Sequence, residues 1–181
     1  MEKRNCNSGE YVLGIDIGTT SVKAVLLSSE GRIVDEASRP HDLVSLHPGW
    51  AEEDASVWWQ NAKDCISELA GRDPELAGKI RCIGCSGMVP AIVLLDRDGN
   101  PVRKTIQQND ARSSRQIERL LSELDQDELF SRTGGRTNQQ HILPRLLWVM
   151  ENEPQVWASV CRVMGSYDYI SYRLLLHFLI M

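Results

Sequence analysis

The sequence predicts an α/β fold, a mixed sheet flanked by helices, and three observations carry that prediction. The first forty residues hold three apolar stretches of strand length separated by tight turns. A segment of helical period follows, and then two further apolar strands. Beyond them the period is helical almost to the end.

Tyr11 to Ile17 reads as the first strand and Val22 to Leu27 as the second, with Gly31 turning the chain into a third, Ile33 to Ser38, to complete a meander. A loop from Arg39 to Glu53 carries His41, His47, Pro48, Gly49 and Trp50. Asp54 is placed to cap a helix in which Trp58, Ala62, Cys65 and Leu69 recur at helical spacing, and Gly71 supplies its stop. Ile80 to Cys85 reads as a buried strand. Ser86-Gly87-Met88-Val89-Pro90 leads from it into another, Ala91 to Leu95, and Asp96 to Pro101 is a turn. A helix starting near Asp110 sets Ile117, Leu120, Leu121 and Leu124 on one face, and a short one runs through Asp127 to Ser131. Gly134-Gly135 breaks the chain. Pro144 then opens a helix with Leu146, Leu147 and Met150 inward, and a last helix runs from Tyr167.

With 181 residues, 42% hydrophobic and 25% charged, the chain is long enough for one globular domain with its own core. A formal net charge of −5 argues against a general nucleic-acid binder, because phosphate backbones reward basic faces. Residues 1–10 form a polar tail with no apolar h-region, so secretion is not indicated. Cys6, Cys65, Cys82, Cys85 and Cys161 are odd in number and scattered, which favours a reducing, cytoplasmic setting. Cys82 and Cys85 have the spacing of a redox pair or half a zinc site. No second such pair follows, so both are read as small core residues.

The chemistry concentrates in the first hairpin. Gly18 lets backbone approach a ligand closely, and Thr19, Thr20 and Ser21 offer hydroxyl and amide donors to a phosphate. Asp16 repels phosphate oxygens, so its natural partner is a hydrated Mg²⁺ between carboxylate and phosphate, and Lys23 adds a mobile positive charge. An ordinary hairpin turn explains a bare D-x-G-T; the whole D-I-G-T-T-S-V-K string favours the phosphate reading. No G-x-x-x-x-G-K-[ST] loop occurs. Further on, Asn109, Asp110 and Arg112 are polar groups suited to pairing the hydroxyls of a polar ligand, each of which costs about 1–3 kcal/mol when buried unpaired. The alternative is a helix cap with a solvated Arg112. Trp58 is read as core; Trp50 is the better candidate for stacking on a ligand.

The string from Gly14 to Lys23 resembles the first phosphate-binding hairpin of the sugar kinase, Hsp70 and actin superfamily, and its wording is most similar to the FGGY family of carbohydrate kinases. His47-Pro48-Gly49-Trp50-Ala51-Glu52-Glu53-Asp54 with Trp58-Trp59 is similar to the P-G-W-x-E-x-D and W-W segments of xylulokinase-like members. Asn109-Asp110-Ala111-Arg112 resembles their W-N-D-x-R, with Gln108 in place of the tryptophan. Gly134, Pro144 to Trp148 and Tyr167-Asp168-Tyr169-Ile170 resemble the stretches that follow.

The resemblance implies a ribonuclease H-like domain, ATP and Mg²⁺ as cofactors, and a sugar as phosphate acceptor. Asp16, Gly18, Thr19, Thr20, Ser21 and Lys23 then bind the nucleotide phosphates, with Asp16 also serving the metal. Met88, Val89, Pro90, Asn109, Asp110, Arg112 and Gln140 face the sugar. Members often carry Gln-Met-His-Gly where this chain has Met88-Val89-Pro90-Ala91, so two polar groups are missing and the contact there becomes apolar or backbone-mediated. Gln139, Gln140 and His141 are placed to restore some polarity. The catalytic aspartate of the family lies beyond residue 181, so none is assigned here. Residues 11–181 are expected to be a partial N-terminal kinase domain, incomplete at its C-terminus and without the family's second domain. A non-catalytic sugar- or phosphate-binding module is the alternative. The run Leu174 to Met181 departs from the family pattern; it is too short for a bilayer, which needs roughly twenty residues. No membrane or nucleic-acid partner is expected. An open sheet edge and that apolar run are expected to favour self-association.

Overall fold

The computed structural model of the chain describes residues 9–179, with side chains as far as Leu176. In chain order it contains β1 (Tyr11–Ile17), β2 (Ser21–Ser28), β3 (Ile33–Pro40), β4 (Glu52–Glu53), α1 (Ala55–Arg72), α2 (Pro74–Ala77), β5 (Ile80–Gly87), β6 (Val93–Leu95) and β7 (Thr105–Ile106). Then follow α3 (Ser114–Glu123), α4 (Gln126–Thr133), α5 (Ile142–Asn152), α6 (Pro154–Ser159), β8 (Arg162–Met164) and α7 (Ser166–Leu179). These elements gather into two compact units, one of residues 9–42, 56–88 and 166–179, the other of residues 43–55 and 89–165. Most of the expected polar tail, with Cys6, and the last two residues of the apolar run lie outside the described residues.

The first unit is built on a mixed sheet of order β3-β2-β1-β5. The meander β1-β2-β3 is antiparallel, and β5 joins β1 in parallel after α1 and α2 have carried the chain back. Side chains alternate along a strand, so burying Leu13, Ile15 and Ile17 of β1 necessarily turns Asp16 to the opposite face. Val22, Ala24 and Leu26 of β2 are buried in the same way, which leaves Lys23 outward. On α1, Trp58, Ala62, Cys65 and Leu69 are all buried, and the Cys65 thiol approaches the Val22 carbonyl at 3.8 Å. Each such large apolar side chain is worth about 1.5–3 kcal/mol on full burial.

Three expectations for this unit are corrected. Gly71 lies inside α1, and the chain turns instead at Asp73, whose Oδ1 accepts from the Glu75 and Leu76 backbone N–H groups at 3.1 Å to start α2. β5 is half exposed rather than buried, because among the described strands it has a neighbour on one side only. Cys82 is accordingly exposed and Cys85 only partly covered, so neither is a core residue. At the chain's end α7 packs along β5 and β1; Leu174 is buried there and Leu175 is exposed.

The second unit holds two short antiparallel ribbons, β4-β7 and β6-β8. Its core is Ile92, Leu94, Ile106 and Val149, with Leu146, Trp148 and Trp157 packed against them. Here α3 begins at Ser114, four residues later than expected. The Asp110 carboxylate accepts from the Arg112 backbone N–H at 2.9 Å, a local turn that competes with helix. Gln116 and Leu120 are the buried residues of α3, whereas Leu121 and Leu124 stay exposed. α5 buries Pro144, Arg145 and Val149 and exposes Met150, so its inward face is rotated from the expected one. Gly134 ends α4 in a left-handed conformation with φ of 75°, its N–H donating to Phe130 O at 2.8 Å. Among the described residues no helix is long and apolar enough to cross a membrane.

Candidate functional site

The β1-β2 turn spans three residues between Ile17 and Ser21 and is closed by a bond from Gly18 N–H to Ser21 O at 3.0 Å. A side chain at Gly18 would stand 3.2 Å from that carbonyl and 3.8 Å from the Asp16 carboxylate, so glycine keeps the concavity open. Thr19 and Thr20 are exposed and Ser21 half-buried. Asp16 and Lys23 are register partners across β1 and β2, and Ser86 of β5 is the partner of Asp16 on the other side. One carboxylate, one ammonium and a row of hydroxyls therefore meet at this end of the sheet. His41, which sequence reasoning left in a loop, supports the turn: its N–H donates to Thr20 O at 3.0 Å, and its ring lies 6.2 Å from that of Trp58. Burial pulls the His41 imidazole below its ordinary value, opposed by a backbone hydrogen bond with Gly18 and by the charge of Asp42.

In the second unit Asp110 and Arg112 come together. Arg112 Nε donates to Asp110 Oδ1 at 2.8 Å and Nη2 to Oδ2 at 2.7 Å, a bidentate pair with both side chains almost wholly buried. Asp110 Oδ2 also accepts from the Ala51 N–H at 2.6 Å. Arg112 Nη1 continues to Glu52 Oε1 at 2.7 Å, and Glu52 in turn holds Arg103, whose Nε reaches Glu153 at 3.0 Å. The Arg112 guanidinium lies 3.8 Å from the Trp50 ring centroid and 4.9 Å from that of Trp148. One face of Trp50 is thus taken up by Arg112, and its edge contacts fall on Trp148 and His47. Asn109, next to this pair, is exposed.

Val89, Pro90 and Gln140 line one hollow of about 430 Å³, together with Leu124, His141 and Leu143. Its walls are mostly apolar with a few polar groups, the composition of a small-molecule pocket. Met88 belongs to the first unit, where it is buried and its carbonyl accepts from Ser166 Oγ at 2.8 Å. Beneath the Gln139 to His141 loop lies Arg145, fully buried, bonded to the carbonyls of His141, Gln108 and Gln139 at 3.2, 3.1 and 2.7 Å. Burial pushes its guanidinium below the ordinary value; Asp110 opposes this and Arg112 adds to it. Glu52 and Arg145 lie in motifs named from the sequence, but neither was given a role there. The available signal for Arg145 was a single charge inside the apolar run Ile142 to Val149.

Comparison with protein families matches residues 11–180 to the FGGY family of carbohydrate kinases, N-terminal domain. The xylulose kinase of Staphylococcus epidermidis (strain ATCC 12228 / FDA PCI 1200) is 35% identical over 169 residues, covering 90% of this chain and 32% of that protein. That of Bacillus subtilis (strain 168) is 32% identical over 165 residues, covering 91% and 33%. The crystal structure of xylulose kinase from Rhodospirillum rubrum superposes with a TM-score of 0.82 at 42% identity, over 90% of this chain and 33% of that one. The chain spans about a third of the length of the relatives it matches. The mixed sheet with its β1-β2 turn is that of the actin, Hsp70 and sugar kinase fold, and the chain belongs to the FGGY family of carbohydrate kinases, as a member of its N-terminal domain.

Proposed function

We propose that this chain is the N-terminal part of a pentulose kinase, xylulokinase-like, in which the γ-phosphate of ATP passes to a sugar hydroxyl. The observation that carries the reading is the β1-β2 turn, open at Gly18 and flanked by Asp16 and Lys23, in a chain matched over its length to this family. Phosphoryl transfer asks mainly for positioning and charge neutralisation. In this assignment Gly18, Thr19, Thr20 and Ser21 donate to phosphate oxygens and Lys23 offsets their charge. Asp16 is the residue that would hold Mg²⁺. The donor set fits: Asp16 offers one carboxylate beside the open Gly18 turn, and Mg²⁺ is typically held by one or two carboxylates with phosphates and water. When bound, that ion neutralises charge on the transferring group.

On the acceptor side Asn109 and Gln140 present amides, Asp110 and Arg112 shape the loop that carries Asn109, and Met88, Val89 and Pro90 supply an apolar or backbone-mediated contact. Turnover, with the carboxylate that takes the hydroxyl proton, is assigned to the full-length kinase, working in the cytoplasm. We further assign a tendency to self-associate to the β5 edge and the exposed Leu175 of α7.

The test is a chimera joining this chain to the remainder of a xylulose kinase, with Asp16→Asn introduced. Because Asp16 acts on charge developing in the transition state, turnover should fall about 100-fold or more while the KM for xylulose moves little. A variant that keeps full turnover, or that loses xylulose binding measured without nucleotide, would overturn the assignment.

A further inference from the structure

Two loops carry most of the acceptor-side candidates, residues 107–112 and 138–141, and one buried cation lies under both. Arg145 Nη2 donates to Gln108 O, immediately before Asn109, and to Gln139 O, immediately before Gln140. Nη1 donates to His141 O at 3.2 Å. A second tie runs between the loops themselves, from Gln139 Nε2 to Asp110 O at 2.9 Å. Arg145 is completely buried one turn into α5, and one turn later Val149 is buried in the apolar core, so the guanidinium is fixed to a packed helix.

We infer that Arg145 is a positioning residue that locks the Asn109 and Gln140 loops to each other, setting the spacing of the groups offered to the sugar. This rests on the pentulose kinase reading for its consequence, though not for the geometry. A guanidinium is a rigid planar fork with five donors and stays charged when buried, so one group can bridge carbonyls from two segments. A lysine ammonium is a compact point charge on a flexible stem and lacks that fork. Backbone carbonyls left behind in the interior would be unsatisfied, so the loops would part rather than stay in place around a shorter side chain. The clamp acts on amide spacing without touching the ligand.

The experiment uses the 181-residue chain with Arg145→Lys and Arg145→Gln, and Val149→Ala as a packing control from the same helix. Hydrogen exchange is followed in peptides covering 107–112 and 138–141, and xylulose affinity by calorimetry on the same substitutions in the chimera, far below each melting temperature. Both Arg145 variants should raise exchange in the two loops together, by about tenfold or more, while the body of α5 keeps its protection. Xylulose should bind about tenfold more weakly, a change of one decade in Kd. Val149→Ala should lower the melting temperature without this paired signature. Gln139→Ala, which removes only the second tie, should loosen residues 107–112 more than Gln140 and His141. Exchange that rises in one loop alone, stays unchanged in both, or rises equally in Val149→Ala at matched stability would overturn the clamp. Failure of the unaltered chimera to bind xylulose would instead sink the pentulose reading, with the exchange comparison still deciding the clamp.

Discussion

The Asp110 carboxylate accepts four hydrogen bonds in a nearly dry setting, three from Arg112 and one from the Ala51 backbone. Removing one partner of such a pair strands a buried charge, typically at about 3–5 kcal/mol, whereas replacing both costs less. Asp110→Ala should therefore lower the urea midpoint strongly, and Asp110→Ala combined with Arg112→Met should lie well above the sum of the two single losses. Additive losses would mean that the pair is not coupled. His41 gives a pH signature. Its folded pKa is depressed below 6.5 by burial, so at mildly acidic pH the unfolded chain binds more protons than the folded one. Its contribution is complete above about pH 6.5 and is lost as pH falls through the folded value. His41→Gln should flatten the stability profile just below pH 6.5, and an unchanged slope would contradict the assignment. The hairpin residues were legible because strand alternation and local turn chemistry lie within ten positions of each other. The roles of Glu52 and Arg145 were not, because the arginines that Glu52 bridges lie 51 and 60 residues away, and Arg145 bonds backbone carbonyls, which leave no trace in the side-chain pattern.

At the scale of elements, the four strands of the mixed sheet, β6, α4 and the helical character of α5 follow from patterns that the chain states locally, whereas the short strands β4, β7 and β8 carry no such pattern. α4 shows how. Asp125 accepts from the Asp127 and Glu128 N–H groups at 2.9 and 3.0 Å, and Gly134 closes the other end in the left-handed region. Gly134→Ala should cost about 1 kcal/mol, since only glycine adopts that conformation freely. Thermal unfolding checks it, and a neutral result would mean that the turn rearranges. The start of α3 was misread because Asp110 had two local options, capping a helix or folding onto Arg112, and a buried arginine made the second more favourable. The inward face of α5 was misread for a related reason. Apolar periodicity pointed to Leu146, Leu147 and Met150; Leu146 does pack on the core, but Arg145, held by three carbonyls, is wholly buried and Met150 lies outward.

For the molecule as a whole, the edge of β5 and the exposed Leu175 lead to one expectation in solution. Unpaired strand edges and apolar patches both favour association, so light scattering should show a mass that grows with concentration. A constant monomer mass that binds no hydrophobic dye would contradict it. The order of chain segments has a further consequence. Three separated stretches make up the sheet unit, and 77 consecutive residues, 89–165, are threaded out of it before Ser166 brings the chain back to Met88. As the chain leaves the ribosome, the β1-β2-β3 meander can pair at once, yet α7 arrives last to cover β5 and β1. Because distant contacts form only after the intervening loop closes, the excursion is free to settle first. Released chains truncated after residue 165 should thus hold an organised second unit and a sheet still open on the flank that α7 covers. The interval before α7 arrives is when an aggregation-suppressing chaperone has most to act on.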